Sequence, residues 1–217
     1  MSIKTTYLAV YNTVSGLLWF TIAIRTLIDV AGLVFPGSKL ASHSVYSTHA
    51  YDGFPHKLLV YTQSLNAVLE IGNSSLGITR SKVSITSLQF FARCSITIGV
   101  CYLTPESKGN FNPLVFPALV LTWSAAEIIR YPYYTLKALN INPPDWLDWL
   151  RYSGFLVLYP LGLATEPVVI YDSLEYVKSM FHYYFFVVGF TLYIPGFYFL
   201  YTYMLKQRKR VLRKKTE

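Results

Sequence analysis

Residues 150–171 read LRYSGFLVLYPLGLATEPVVIY, an apolar stretch that is long enough to cross a lipid bilayer as a helix. Its interior nevertheless carries Tyr159 and the carboxylic acid Glu166. Ionisable groups inside the hydrocarbon are costly, and they mark substrate paths, proton relays or catalytic sites. Seven residues turn a helix through almost two revolutions, so both side chains project from one face, about 10 Å apart along the axis. One small substrate can therefore contact both groups.

The rest of the chain is also too apolar for a soluble domain of ordinary composition. Of its 217 residues, 53% are hydrophobic and only 14% are charged, and the mean hydropathy is +0.36. Six apolar stretches are predicted to cross the membrane: 7–34, 57–73, 84–103, 113–135, 150–171 and 181–205. Because only helices and closed barrels satisfy every backbone group in lipid, stretches of this length predict an all-α bundle of six transmembrane helices.

Charges beside the predicted spans indicate the orientation of the bundle. The net charge is +8, and seven of the ten residues at 206–215, KQRKRVLRKK, are basic. Positive residues stay on the cytosolic side, so this tail and the connections that carry Arg80, Lys82 and Lys137 are predicted to be cytosolic. Six spans place both termini on that side. A basic segment beside a span is typical of contact with anionic lipid rather than with nucleic acid. Residues 1–205 are interpreted as one transmembrane domain, and residues 206–217 as a cytosolic tail.

Polar residues recur inside the predicted spans: Glu70, Gln89, Arg93, Glu127, Arg130 and Arg151. In the predicted orientation all six lie in the cytosolic half, which indicates a polar pocket open to the cytosol. We expect them to orient Tyr159 and Glu166, and we expect Gly162 to permit close approach of a helix or a substrate. Glu127 and Arg130 are three residues apart, so a local salt bridge that only lowers the cost of insertion is an alternative interpretation.

No metal or cofactor site is predicted. Cys94 and Cys101 lie seven residues apart in one apolar span and are interpreted as small buried hydrophobic residues. His43, His49 and His56 lie in the loop at 35–56, at spacings that fit no compact set of metal ligands. The chain also has no glycine-rich loop that binds a nucleotide.

Four groups of residues resemble the motifs of one membrane-protein family. They are Arg151-Tyr152 with Leu158-Tyr159-Pro160, Gly162 and Glu166; Trp123-Ser124 with Ala126-Glu127-Ile128-Ile129-Arg130-Tyr131 and Tyr133-Tyr134; Glu70-Ile71 with Asn73 and Gly77; and Gln89 with Arg93. The family is that of the membrane 3-hydroxyacyl-CoA dehydratases of very-long-chain fatty acid elongation, also called protein-tyrosine-phosphatase-like proteins. The resemblance extends from about Tyr7 to Met204.

This resemblance implies a multi-pass enzyme of the endoplasmic reticulum that dehydrates (3R)-3-hydroxyacyl-CoA to trans-2-enoyl-CoA. It implies that residues 1–205 form the catalytic domain, that Tyr159 and Glu166 are catalytic and that no cofactor is needed. The implied partners are an acyl-CoA substrate, membrane lipid, and the condensing enzyme and two reductases of the same cycle. The terminal residues Lys214-Lys215-Thr216-Glu217 resemble the dilysine retrieval signal of membrane proteins of the endoplasmic reticulum.

Dehydration removes a proton from C2 and protonates the departing hydroxyl group, so one base and one acid suffice. Desolvation disfavours the charged form of Glu166, which makes it a stronger base than in water, and Tyr159 offers an O–H donor. The sequence leaves these two roles exchangeable. It also leaves open a carrier, although the repeated halves typical of carriers are not evident, and a non-catalytic membrane scaffold.

Overall fold

The computed structural model describes residues 2–79 and 81–216, with side chains as far as Val211. These residues form nine α-helices and no strand: α1 (Ile3–Val34), α2 (Val45–Thr48), α3 (Lys57–Ser75), α4 (Val83–Cys94), α5 (Lys108–Phe111), α6 (Val115–Ala138), α7 (Asp145–Ser153), α8 (Phe155–Tyr171) and α9 (Met180–Thr216). A π-helical segment, Ser95–Tyr102, continues α4. Arg80 and Glu217, which enter the predictions of orientation and retrieval, lie outside the described residues, as do the side chains of Lys214 and Lys215.

Four helical stretches of the described residues are long and apolar enough to cross a membrane: Ile3–Val34, Val83–Tyr102, Asp145–Tyr176 and Met180–Val211. Their outer faces are apolar as well, and Leu17 and Phe20 of α1 are 62% and 53% exposed. The chain is therefore an all-helical, multi-pass membrane protein. The predicted spans 57–73 and 113–135 form α3 and α6, which are not among the four stretches, so the count of six spans stays a prediction.

The predicted span 150–171 lies within the helical stretch Asp145–Tyr176, which consists of two successive helices. α7 ends at Ser153, and α8 begins at Phe155 and continues through Pro160 and Pro167. Gly154 between them keeps a helical backbone, with φ −56° and ψ −30°, so the helical backbone continues from α7 into α8. Tyr159 and Glu166 consequently lie on the same helix, as the spacing predicts.

Helix α6 lies at the centre of the bundle, between α1 and α8. Gly16 of α1 allows the closest approach to α6, because a Cβ at this position would lie only 3.3 Å from the Cβ of Tyr131. Trp19, Phe116 and Tyr131 are fully buried where these helices meet. This arrangement directs Trp123 and the charged residues of α6 into the interior.

The π-helical segment packs against the start of α9. A Cβ on Gly99 would lie 2.8 Å from Cζ of Phe186, so only glycine allows the Phe186 ring to occupy this position. Phe186 is 1% exposed and also lines the cavity described below. The irregular segment therefore shapes one end of that cavity, in keeping with the frequent occurrence of π-helical turns at functional sites.

Candidate active site

A cavity of about 380 Å³ lies among α4, α6, α7, α8 and α9. This volume is within the range of small-molecule sites. Eight of the nine predicted site residues line it: Gln89, Arg93, Glu127, Arg130, Arg151, Tyr159, Gly162 and Glu166. Most of the remaining wall is apolar and includes Leu163, Phe185 and Leu192. The structure thus brings residues from widely separated parts of the sequence to one space that has both polar and apolar walls.

The carboxylate of Glu166 is held by donors from two other helices. Its Oε1 accepts a hydrogen bond of 2.9 Å from Nε1–H of Trp123 on α6, and its Oε2 accepts one from the hydroxyl group of Tyr193 on α9. Each carboxylate oxygen has two lone-pair directions, so each keeps acceptor capacity beyond these bonds. The arrangement fixes the carboxylate at the cavity wall while leaving it able to accept a proton.

Tyr159 is held by its ring rather than by its hydroxyl group. The ring stacks on those of Phe197 and Tyr201 of α9, with centroids 5.1 Å and 6.1 Å away and interplanar angles of 16° and 18°. Within the described residues the hydroxyl group makes no hydrogen bond. It is therefore oriented by stacking and remains available to donate to a bound molecule.

Four charged side chains of alternating sign, three of which line the cavity, connect α3, α6 and α4. Glu127 accepts hydrogen bonds from Arg93 and, at 2.7 Å, from Nε of Arg130. Arg130 also forms a two-bond pair with Glu70, whose Oε1 accepts a further bond of 3.0 Å from Tyr131. The predicted Glu127–Arg130 pair is confirmed, but it belongs to a network across three helices. Glu70 lies outside the cavity lining and reaches it through Arg130.

Trp123 connects this network to Glu166. The guanidinium carbon of Arg93 lies 5.1 Å from the centre of the Trp123 ring, a favourable position for a cation on an aromatic face. The N–H at the edge of the same ring binds Glu166. The charged residues therefore contact Glu166 indirectly, through the indole.

Arg151, Gln89 and Gly162 lie in the cavity wall in different surroundings. Nη2 of Arg151 donates to the hydroxyl group of Tyr134 at 3.0 Å, and Gln89 is exposed and makes no hydrogen bond within the described residues. A Cβ on Gly162 would lie 3.5 Å from Oε1 of Glu166, so the glycine leaves space beside the carboxylate. An orienting role of Arg151 and Gln89 toward the Tyr159–Glu166 pair stays a prediction.

Two residues that bind Glu166 were not predicted as site residues. Trp123 belongs to a motif noted in the sequence, but an uncharged indole in an apolar span does not by itself indicate a functional site. Tyr193 lies in the last span, which has no interior charge. A usable signal was the spacing of Gly189, Tyr193 and Gly196, which places a tyrosine between two small residues on one helical face. All three line the cavity.

Fold and site together define a multi-pass helical membrane protein with a carboxylate and a tyrosine in an interior cavity. The family model for the "Protein tyrosine phosphatase-like protein, PTPLA" matches residues 64–214, which extend from α3 into α9. The chain belongs to this family, as its motifs predict.

Curated relatives of the chain carry consistent names. A "Probable very-long-chain (3R)-3-hydroxyacyl-CoA dehydratase" of Schizosaccharomyces pombe is 32% identical over 98% of this chain and 95% of its own length. The human "Very-long-chain (3R)-3-hydroxyacyl-CoA dehydratase 2" is 33% identical over 97% of this chain and 82% of its own length. The Arabidopsis thaliana "Very-long-chain (3R)-3-hydroxyacyl-CoA dehydratase PASTICCINO 2" is 39% identical over 68% of this chain and 72% of its own length. No solved structure matches the chain with significance.

Proposed function

We propose that this protein is a very-long-chain (3R)-3-hydroxyacyl-CoA dehydratase, a hydro-lyase that forms trans-2-enoyl-CoA in fatty acid elongation. The names of its relatives support this reaction rather than a carrier or a scaffold. The observation that carries the proposal is the pairing, in one cavity and on one helix, of a fixed carboxylate with a tyrosine hydroxyl group that has no partner within the described residues.

In the proposed reaction Glu166 is the base and Tyr159 is the acid. Glu166 accepts hydrogen bonds at both oxygens, as an ionised carboxylate does, and it takes the proton from C2 of the substrate. The electron pair of the broken C–H bond moves toward the thioester carbonyl and then forms the C2–C3 double bond as the C3 hydroxyl group departs. Tyr159 protonates this group, which leaves as water, and the proton held by Glu166 afterwards returns to the tyrosinate oxygen. This assignment selects one of the two arrangements that the sequence left open.

The other polar residues are proposed to hold the pair and to bind the coenzyme. The network of Glu70, Arg93, Glu127 and Arg130 supports the wall next to Glu166. The planar guanidinium of Arg151 suits phosphate oxygens, so it is assigned to the coenzyme A moiety at the mouth of the cavity. Apolar residues of the wall, including Leu163 and Leu192, contact the acyl chain.

The proposed topology has six spans and places both termini in the cytosol. In this arrangement residues 1–205 form the catalytic domain and 206–217 form the basic tail. The resemblance to the elongation dehydratases implies location in the endoplasmic reticulum, and positive residues beside the last span favour contact with anionic lipid. The condensing enzyme and the two reductases of the elongation cycle are the proposed protein partners.

The direct test is enoyl-CoA formation from a long-chain (3R)-3-hydroxyacyl-CoA by the detergent-purified protein, measured beside Tyr159→Phe and Glu166→Gln. Loss of an acid or a base is expected to lower turnover by roughly 10²- to 10⁴-fold. Tyr198→Phe is the matched control, because this tyrosine of α9 is 73% exposed and is expected to keep full activity. A folded wild-type protein without turnover at several chain lengths would contradict the proposal, and an active Glu166→Gln variant would contradict the assigned base.

A further inference from the structure

The two donors that bind Glu166 come from helices other than α8. Trp123 approaches from α6 and Tyr193 from α9, and each binds a different oxygen of the carboxylate. A glutamate side chain has several rotatable bonds and loses considerable conformational entropy when it is ordered. One hydrogen bond leaves the carboxylate plane free to turn about that contact. Two bonds from separate helices determine both its position and its plane.

Trp123 is itself rigidly placed. It is 3% exposed, and the guanidinium of Arg93 lies over its ring while Glu127 binds that guanidinium. Trp123 is thus clamped between a paired cation and the carboxylate that it binds. The charged network can therefore affect the position of Glu166, because displacement of Arg93 removes the support of the Trp123 ring.

Tyr193 and Tyr159 have different positions relative to the carboxylate. The hydroxyl group of Tyr193 is engaged by Oε2 of Glu166, whereas that of Tyr159 is bound by none of the described residues. Tyr193 is consequently suited to hold the base, and Tyr159 is suited to contact the substrate.

From this geometry we infer that Trp123 and Tyr193 are positioning residues that orient the Glu166 carboxylate toward C2 of the substrate. The inference rests on the proposed dehydratase function and adds the residues that make its base effective. Proton transfer depends steeply on geometry, and a displacement of about 1 Å can lower a rate about 100-fold. Loss of either donor is therefore expected to slow removal of the C2 proton while leaving substrate binding almost unchanged.

The test compares the purified full-length protein with Trp123→Phe and Tyr193→Phe, which remove the donors and keep aromatic rings. We expect kcat to fall roughly 10- to 100-fold with KM nearly unchanged. We also expect a larger kinetic isotope effect for substrate deuterated at C2, because proton removal becomes more strongly rate-limiting. Trp146→Phe and Tyr198→Phe are the matched controls, since these side chains are 63% and 73% exposed, and their kinetics are expected to match those of the wild type.

A second comparison separates positioning from a general structural role. In a Glu166→Gln background, neither substitution is expected to lower the residual rate further, because residues that act through one group are not additive. Unchanged kcat and isotope effect in both single variants, or a rise in KM alone, would overturn the inference. Failure of both variants to fold, judged by thermal unfolding in detergent, would also overturn it in favour of a structural role. An inactive wild type would instead identify the proposed function as the part that fails.

Discussion

Among individual residues, Glu127 is a buried carboxylate that is bound by two arginines. It is 4% exposed and lies between the guanidinium groups of Arg93 and Arg130, both of which bind it. The desolvation of these charges is offset only while every partner is present. Removal of one member is therefore expected to lower the free energy of unfolding by more than the intact network contributes to it.

Replacement of Glu127 is expected to destabilise the protein far more than replacement of an exposed ion-pair partner. Glu127→Gln leaves Arg93 facing an amide and Arg130 paired with Glu70 alone, and removing one partner of a buried pair costs about 3–5 kcal/mol of unfolding free energy. Glu175→Gln is the control, because its pair with Lys108 is exposed and contributes little. Thermal unfolding in detergent measures both variants. Equal shifts in melting temperature would show that the buried network is dispensable for stability.

His56 is expected to make stability pH-dependent in the acid range. It precedes α3 outside the predicted spans, its ring stacks on Phe116 at 4.1 Å, and its Nε2 lies 3.0 Å from the carbonyl oxygen of Asn110. Burial lowers the pKa of His56 from 6.5 to about 4. Between these values the unfolded chain binds more protons than the folded one, so stability is full above about pH 6.5 and falls as the pH drops toward 4.

The measurement is the melting temperature between about pH 7 and pH 4.5 for the wild type and His56→Asn. Asparagine tolerates the left-handed backbone of this position, where φ is +56°. It does not titrate in this range, so the variant is expected to lose less stability on acidification than the wild type does. Parallel pH curves for the two proteins would show that His56 does not carry the effect.

At the scale of helices, the sequence predicts the elements better than their irregularities. The apolar length of 150–171 and the spacing of Tyr159 and Glu166 predict a helix with both side chains on one face, and α8 has this arrangement. The break at Gly154 and the π-helical segment Ser95–Tyr102 were not predicted. Both depend on packing between helices, and a bundle that is apolar toward lipid and toward its core gives little periodicity from which to read such contacts.

The same limit applies to the site. Charged residues inside apolar spans are conspicuous, and all but one of the predicted site residues line the cavity. Trp123 and Tyr193 are uncharged and lie far from Glu166 in the sequence, so no local pattern links them to it. The sequence therefore predicts the groups that are costly to bury, but not the neutral donors that hold one of them.

Gly99 provides a test of packing between the π-helical segment and α9. Gly99→Ala places a Cβ 2.8 Å from the Phe186 ring, and such overpacking costs about 1–3 kcal/mol of unfolding free energy. Adding Phe186→Leu is expected to restore part of the loss by making space. Gly72→Ala is the control, since no side chain or distant backbone lies within 4 Å of its Cβ position, and alanine favours the helix. The melting temperatures of the three variants in detergent measure these effects. A Gly99→Ala protein as stable as the wild type would contradict the close contact.

In the whole molecule, the cavity and the basic tail lie close to each other. The cavity extends to Leu150, Arg151 and Met204, near the junction of α7 with the end of α9. At this junction Nε of Arg208 donates to the hydroxyl group of Ser153 at 3.0 Å, which ties the beginning of the basic tail to the mouth of the cavity. In the proposed function, a water-soluble coenzyme A group therefore reaches Arg151 from the compartment that contains the tail.

This connection makes the orientation of the tail a test of substrate access. In sealed microsomes, an epitope tag placed after Glu217 is expected to be removed by added protease, because basic residues beside a span, such as those at 206–215, favour the cytosolic side. A tag inserted at Gly37 is expected to be protected until detergent is added, since the proposed topology places the loop at 35–56 on the opposite side. Gly37 lies in a loop and has open space around its Cβ position, so we expect the insertion to be tolerated. A luminal marker protein controls for sealed vesicles, and a protected C-terminal tag would contradict both the orientation and the cytosolic opening of the cavity.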